Sequence, residues 1–183
     1  LQVSRASTAL ILNVRATGNY TAAIVLDQVA DAQVSNSIIL NTHLEGIVVM
    51  NSSAPTNIEI SNNLIVGGGY SPISGLAFYC GPDSPSAVIC GALRVDSPDN
   101  VIVANNIVVG NEYGLSCYPS CENDHNLIWG NGANYRGYAA AGPNNKKLDP
   151  RFTNAGEGDF TLRFDSPAID TGNNILGPDS DIT

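Results

Sequence analysis

The chain has 183 residues, 8 basic against 17 acidic side chains and a formal net charge of −9. It is long enough for one domain with a real core. Only 14% of its residues are charged, and it holds two Lys and five Glu against 21 Asn and 18 Gly. That composition excludes a helical bundle, whose solvent faces need Glu and Lys. The acidic balance argues against a nucleic-acid partner, which would demand a basic stripe. No apolar run approaches the roughly 20 residues of a bilayer span.

Short apolar runs punctuated by Asn and Gly begin near the N-terminus with Leu10-Ile11-Leu12-Asn13 and return through the chain. The next copy is Gln33 to Asn41, followed by Gly46-Ile47-Val48-Val49. Asn57 to Gly67 then aligns without gaps onto Asn100 to Gly110, at an offset of 43. Gly75-Leu76-Ala77-Phe78 and Gly114-Leu115-Ser116-Cys117 read as further second elements, and His125 to Asn131 as the last copy. Ile58 and Ile60 alternate with Glu59 and Ser61, which is the period of a strand. Each repeat therefore predicts two or three strands with sharp corners. A single such repeat cannot bury its apolar face, so the repeats are expected to stack. Stacking predicts internal columns of Val34, Ile60 and Val103, and of Ile38, Leu64, Ile107 and Leu127. The Asn pairs suit the corners, because Asn tolerates positive φ and its amide can bond an equivalent Asn one repeat away.

These repeats resemble the right-handed parallel β-helix of the pectate-lyase-like class, over roughly residues 9 to 138. The resemblance implies an all-β solenoid of about five coils, on the order of 24 Å tall, spanning 1–147 with an insertion at about 67–99. Residues 148–183 differ. Leu148-Asp149-Pro150-Arg151-Phe152, Gly158-Asp159-Phe160-Thr161-Leu162 and Ser166-Pro167-Ala168-Ile169-Asp170-Thr171-Gly172 resemble the end module of choice-of-anchor Q proteins. They read as a cap in which Phe152, Phe160, Leu162 and Ile169 lie over the open core. The N-terminal end shows no such cap. The start at Leu1, without Met or secretion signal, reads as that of a mature or excised piece.

Four cysteines allow three pairings. The shortest loops favour Cys80–Cys90 and Cys117–Cys121, with free thiols or a zinc site at Cys117, Cys121 and His125 as alternatives; the zinc site lacks an evident fourth ligand. Disulfides imply an oxidising compartment, hence a secreted or cell-surface protein.

The fold's relatives often act on polysaccharides, but function has to be read from a site. A lyase needs a base beside a cation or Ca²⁺; a hydrolase needs two placed carboxylates. The sugar-binding candidates are Trp129, Tyr135, Arg136, Tyr138, Lys146 and Lys147, with Arg94 in the insertion and Tyr113, Tyr118 and His125 near by. Aromatic faces stack on sugars and cations meet carboxylates. For Trp129 the competing reading is a core position in the place of Val109. Glu112, Glu122 and Asp124 gather around the second cysteine pair but read as solvated corners. Asp83, Asp96 and Asp99 admit Ca²⁺ without matching a Ca²⁺ loop, so no cofactor is predicted. No catalytic set of acid, base and charge neutraliser can be assembled. The expectation is a polysaccharide-associated module, binding a glycan or forming part of a lyase-like protein. The alternative is a structural or adhesive stalk that presents loops. Oligomeric state is not legible.

Overall fold

The computed structural model describes residues 1–19, 21–42, 44–51, 56–67, 91–97 and 100–175. Gly75 to Phe78, Cys80, Asp83, Cys90 and Asp99, named above, lie outside them. Each coil carries three short strands. Coil one holds β1 (Gln2–Ser4), β2 (Thr8–Leu12) and β3 (Arg15–Thr17); coil two holds β4 (Ile24–Asp27), β5 (Asp31–Ser35) and β6 (Ile38–Leu40). Coil three is β7 (Ile47–Met50), β8 (Asn57–Ser61) and β9 (Leu64–Val66), and coil four is β10 (Leu93–Ser97), β11 (Val101–Ala104) and β12 (Ile107–Val109). Coil five is β13 (Tyr113–Pro119), β14 (Glu122–Asp124) and β15 (Leu127–Trp129), and β16 (Ala133–Gly137) follows it. The strands stack into sheet A (β1-β4-β7-β10-β13-β16), sheet B (β2-β5-β8-β11-β14) and sheet C (β3-β6-β9-β12-β15). Every neighbouring pair in these sheets is parallel. The molecule is a right-handed parallel β-helix of about five coils.

The strand alternation fills the interior. Val34 pairs with Ile60 and Ile60 with Val103, and all three are fully buried, as the repeat alignment predicts. Burying each such side chain contributes about 1.5–3 kcal/mol. In sheet C the predicted column is in register but faces the other way. Ile38, Leu64, Ile107 and Leu127 do align, and Leu64 and Leu127 are buried, yet the column in the central core is Ile39, Ile65, Val108 and Ile128. The cause is the buried Asn that precedes each strand. With Asn63 turned inward, Leu64 must turn outward and Ile65 inward, because a strand alternates strictly.

A second correction concerns the insertion. Leu93 pairs with both Ile47 and Leu115, so β10 is the sheet A strand of coil four. Val95 stands opposite Cys117. Leu93 and Val95 alternate with Arg94 and Asp96, the same period-two signal.

The corners use two chemistries. Between sheets B and C, Asn13, Asn36, Asn62, Asn105 and His125 have φ between 53° and 58°. The next residue inward builds a ladder. Asn63 donates its backbone N–H and its Nδ2 to Asn106 Oδ1, at 3.0 and 3.1 Å. Asn106 repeats both bonds to Asn126, each at 3.0 Å, and Asn126 repeats them to Asn145 at 2.8 and 3.3 Å. At the other end Ser37 N–H donates to Asn63 Oδ1 (3.0 Å), and Val14 N–H donates to Ser37 Oγ (3.2 Å). The ladder thus satisfies buried backbone groups that a tight corner would otherwise orphan.

The C-terminal segment contributes a hairpin of β17 (Phe152–Asn154) and β18 (Asp159–Leu162) around one 3-10 turn, Ala155–Glu157. Phe152 and Phe160 meet edge to face with centroids 5.3 Å apart. Ser166 Oγ donates to Pro150 O at 2.6 Å and accepts from Ala168 N–H at 3.1 Å, tying two of the end motifs together. At this end the apolar groups packed on the main core include Tyr135 and Ala139, rather than Phe152, Phe160, Leu162 or Ile169. Residues past the hairpin return along the flank, where Asn173 and Asn105 exchange two bonds of 3.0 and 2.7 Å.

Candidate functional site

In sheet A, Leu93, Val95, Leu115 and Cys117 belong to the core and Tyr135 packs against it. Their neighbours therefore face outward. One outward row runs Gln2, Val25, Val48, Arg94, Ser116, Arg136. The adjacent row runs Ser4, Asp27, Met50, Asp96, Tyr118. Tyr138 extends it one strand further, its ring 6.3 Å from that of Tyr118 at 83°. Gly137 makes that contact possible. It has φ 69°, and a Cβ there would stand 2.5 Å from Tyr118 Cζ.

Arg136 lies over the Tyr113 ring, 4.3 Å from its centroid. Tyr138 is 75% exposed. β13, β16 and the residue that follows β16 therefore carry Tyr113, Tyr118, Arg136 and Tyr138 on one face. Burial pushes the Glu112 carboxyl up, partly offset by Arg136. One coil earlier Arg94 is already engaged. Its Nη1 lies 3.4 Å from Glu45 Oε1 and its Nη2 bonds Asp96 Oδ2. Burial raises the Glu45 carboxyl, and the attraction of Arg94 only partly offsets this.

The sequence candidates thus divide. Arg136 and Tyr138 come together with Tyr113 and Tyr118, and Arg94 lies on the same face. Tyr135, one residue from Arg136, points the opposite way, and its Oη accepts from Asn145 Nδ2 at 3.1 Å. Lys147 Nζ lies 5.4 Å from the Tyr135 ring centroid, so it too belongs to the end of the solenoid. Lys146 pairs with Leu127 and donates from Nζ to Pro167 O at 3.2 Å. Trp129 does take the register position of Val109, but it lies on the outer face of sheet C and is 40% exposed. Glu45, Asp96 and Ser116 join the face. The sequence offers Asp96 only as a Ca²⁺ ligand, and Glu45 and Arg94 are 49 residues apart.

Cys117 and Cys121 form a disulfide with Cα atoms 5.7 Å apart. This settles that pair and removes the zinc and thiol alternatives for it. His125 holds the corner position that Asn occupies in other coils, and its Nδ1 lies 3.2 Å from Asp124 Oδ2. Asp124 also accepts from Asn144 N–H and Nδ2 at 2.7 and 2.8 Å. Burial raises its carboxyl, but these bonds together outweigh it and hold Asp124 below the ordinary value. Among the described residues no group of three or more His, Cys, Asp or Glu could hold a metal ion. Nor does any helix among them have the length and apolarity to cross a membrane.

Compared with known families, the chain is similar over residues 1–84 to the right handed beta helix region. No curated protein and no solved structure matches it. The matched stretch covers coils one to three. Coils four and five continue the same strand register and the same Asn ladder, so the fold defines the whole coil region as a right-handed β-helix repeat protein.

Proposed function

We propose that this protein is a secreted or cell-surface module of the pectate-lyase-like kind that binds polysaccharide without turning it over. One observation carries the reading: Tyr113, Tyr118, Arg136 and Tyr138 share one outward face of a rigid sheet. Rings offer flat apolar surfaces with polar tips, and an arginine stacked on a ring is held ready to donate. The Cys117–Cys121 bond favours an oxidising compartment. The likeness of the C-terminal motifs to choice-of-anchor Q modules favours a surface protein. Two observations argue against catalysis among the described residues: Arg94 is held by two carboxylates, and Arg136 acts on the Glu112 carboxylate.

Affinity electrophoresis in gels containing neutral and acidic plant and bacterial polysaccharides tests this. Retention by at least one polymer, largely lost in Tyr138→Ala with an unchanged melting temperature, is the expected result. Retention that survives Tyr138→Ala and Arg136→Ala would remove the face from the account. Absence of retention by every polymer would leave the stalk. An ultraviolet-absorbing product from polyuronides would show that the module is a lyase.

A further inference from the structure

The tyrosines among the described residues are Tyr113, Tyr118, Tyr135 and Tyr138. All lie on β13 and β16 or directly after β16, but their surroundings differ. Tyr113 lies under the Arg136 guanidinium, which is 4.3 Å from its ring centroid, and Tyr135 lies under Lys147 Nζ at 5.4 Å. A positive charge on a ring face makes an electron harder to remove from that ring. The Tyr135 hydroxyl also accepts from Asn145 Nδ2, and burial pushes its phenol up. Among the described residues neither Tyr118 nor Tyr138 has a cation on its ring. These two face each other instead, with centroids 6.3 Å apart at 83°. The hydroxyl-bearing edge of Tyr118 sits against Gly137, where a Cβ would stand 2.5 Å from Cζ and 2.7 Å from Cε1. Cε1 is a carbon ortho to the hydroxyl, where a phenoxyl radical carries unpaired spin. Tyr138 is the next residue and is 75% exposed.

We propose that Tyr118 and Tyr138 are an oxidative cross-linking site, at which a peroxide-dependent one-electron oxidant of the haem peroxidase class joins the two rings through their ortho carbons. Each phenol gives one electron to the oxidant and its hydroxyl proton to water. The two radicals couple, a carbon–carbon bond forms between the rings, and each ring then moves its ortho hydrogen to its oxygen to become a phenol again. The two electrons and two protons reduce one peroxide to two waters, so the protein loses two hydrogen atoms in all. The rings must close in from 6.3 Å, and exposed side chains turn within nanoseconds, far faster than two molecules meet. Coupling within one chain therefore outruns coupling between chains. The bond ties the end of β13 to the residue after β16 and locks the last turn of sheet A. This chemistry needs no glycan and stands apart from the binding reading.

Treatment of the dilute whole protein with a haem peroxidase and hydrogen peroxide tests the site. The expected product is a monomer lighter by two hydrogen atoms, with dityrosine fluorescence and one cross-linked peptide pair that carries Tyr118 and Tyr138. Its melting temperature is expected to rise, because a covalent cross-link, like a disulfide, restrains the unfolded chain. Tyr118→Phe and Tyr138→Phe are each expected to abolish that product; both keep the ring, so the loss reports the chemistry and not the fold. Gly137→Ala keeps both phenols but drives Tyr118 from its seat, and is expected to cut the yield severalfold. A bond mapped to any other pair, cross-links only between molecules, a monomeric product that survives in either Phe variant, or an undiminished yield in Gly137→Ala would overturn the site. So would a wild-type mass that does not change while free tyrosine in the same mixture is coupled.

Discussion

The corner between sheets B and C and the outer face of sheet A are built by the same coils to opposite rules. At the corner, coils two to five repeat one pattern: a positive-φ residue, then an inward polar side chain that bonds the equivalent residue one coil away. On the outer face of sheet A the coils diverge, from Val25 and Val48 to Arg94, Ser116 and Arg136. Repetition at one place lets the coils stack; variation at the other costs the stack little, because those side chains point away from the core. Structure and recognition are thus divided between two sides of one coil.

Substitutions should respect that division. The largest effect is expected at the middle of the ladder. Asn106 accepts two bonds from Asn63 and donates to Ile60 O, Ala104 O and Asn126. Asn106→Ala should therefore destabilise the fold by about 3 kcal/mol or more, read as a lower denaturant midpoint with an unchanged slope. A loss below about 1 kcal/mol would mean that water replaces the ladder.

A smaller cost is expected at the preceding residue. Asn62 has φ 54°, so Asn62→Ala should lose about 1 kcal/mol while Asn62→Gly stays near neutral. Equal losses in both would show that the Asn62 side chain, not its backbone conformation, holds the corner.

On the other side of the comparison, Tyr138→Ala should leave the melting temperature unchanged and weaken glycan retention about five- to tenfold. A fall in melting temperature would assign Tyr138 to the fold instead.

The smallest effects should appear as pH dependence, with opposite signs at two carboxyls. Glu45 is raised above its ordinary 4.5, so its contribution to stability is complete below that value and is lost as pH rises through the folded one. Asp124 is lowered below its ordinary 3.8. Its contribution is complete above that value and is lost as pH falls through the folded one. Denaturant midpoints followed against pH should therefore lose their decline above 4.5 in Glu45→Gln, and part of their acid limb in Asp124→Asn. A Glu45→Gln profile that matches wild type would show that Arg94 fully offsets the burial of Glu45.

Much of the scaffold was legible in the residues alone. The gapless offset of 43 between Asn57 and Asn100 is the observed register of β8 against β11, because stacked coils must repeat their inward residues to share a core. The Asn pairs named the corner for the same reason. The site was less legible. Tyr135 and Arg136 are neighbours in sequence and opposite in direction, so a cluster drawn along the chain mixed an end-closing residue with an outward one.

Local pattern by itself determined that the chain makes short strands, turns them at Asn and Gly, and stacks them, since period-two alternation and tolerance of positive φ are properties of a few adjacent residues. Only the tertiary structure decided which way each strand faces and which distant groups meet. A buried Asn63 turns Leu64 away from the central cluster, though it stays buried, and makes Ile65 the member of that cluster. Glu45 neutralises Arg94 from 49 residues away, and Asn173 returns to Asn105 across 68. Pairings at such separations depend on how many residues each corner takes up, and that number is set by the stacking of the coils rather than by any one segment.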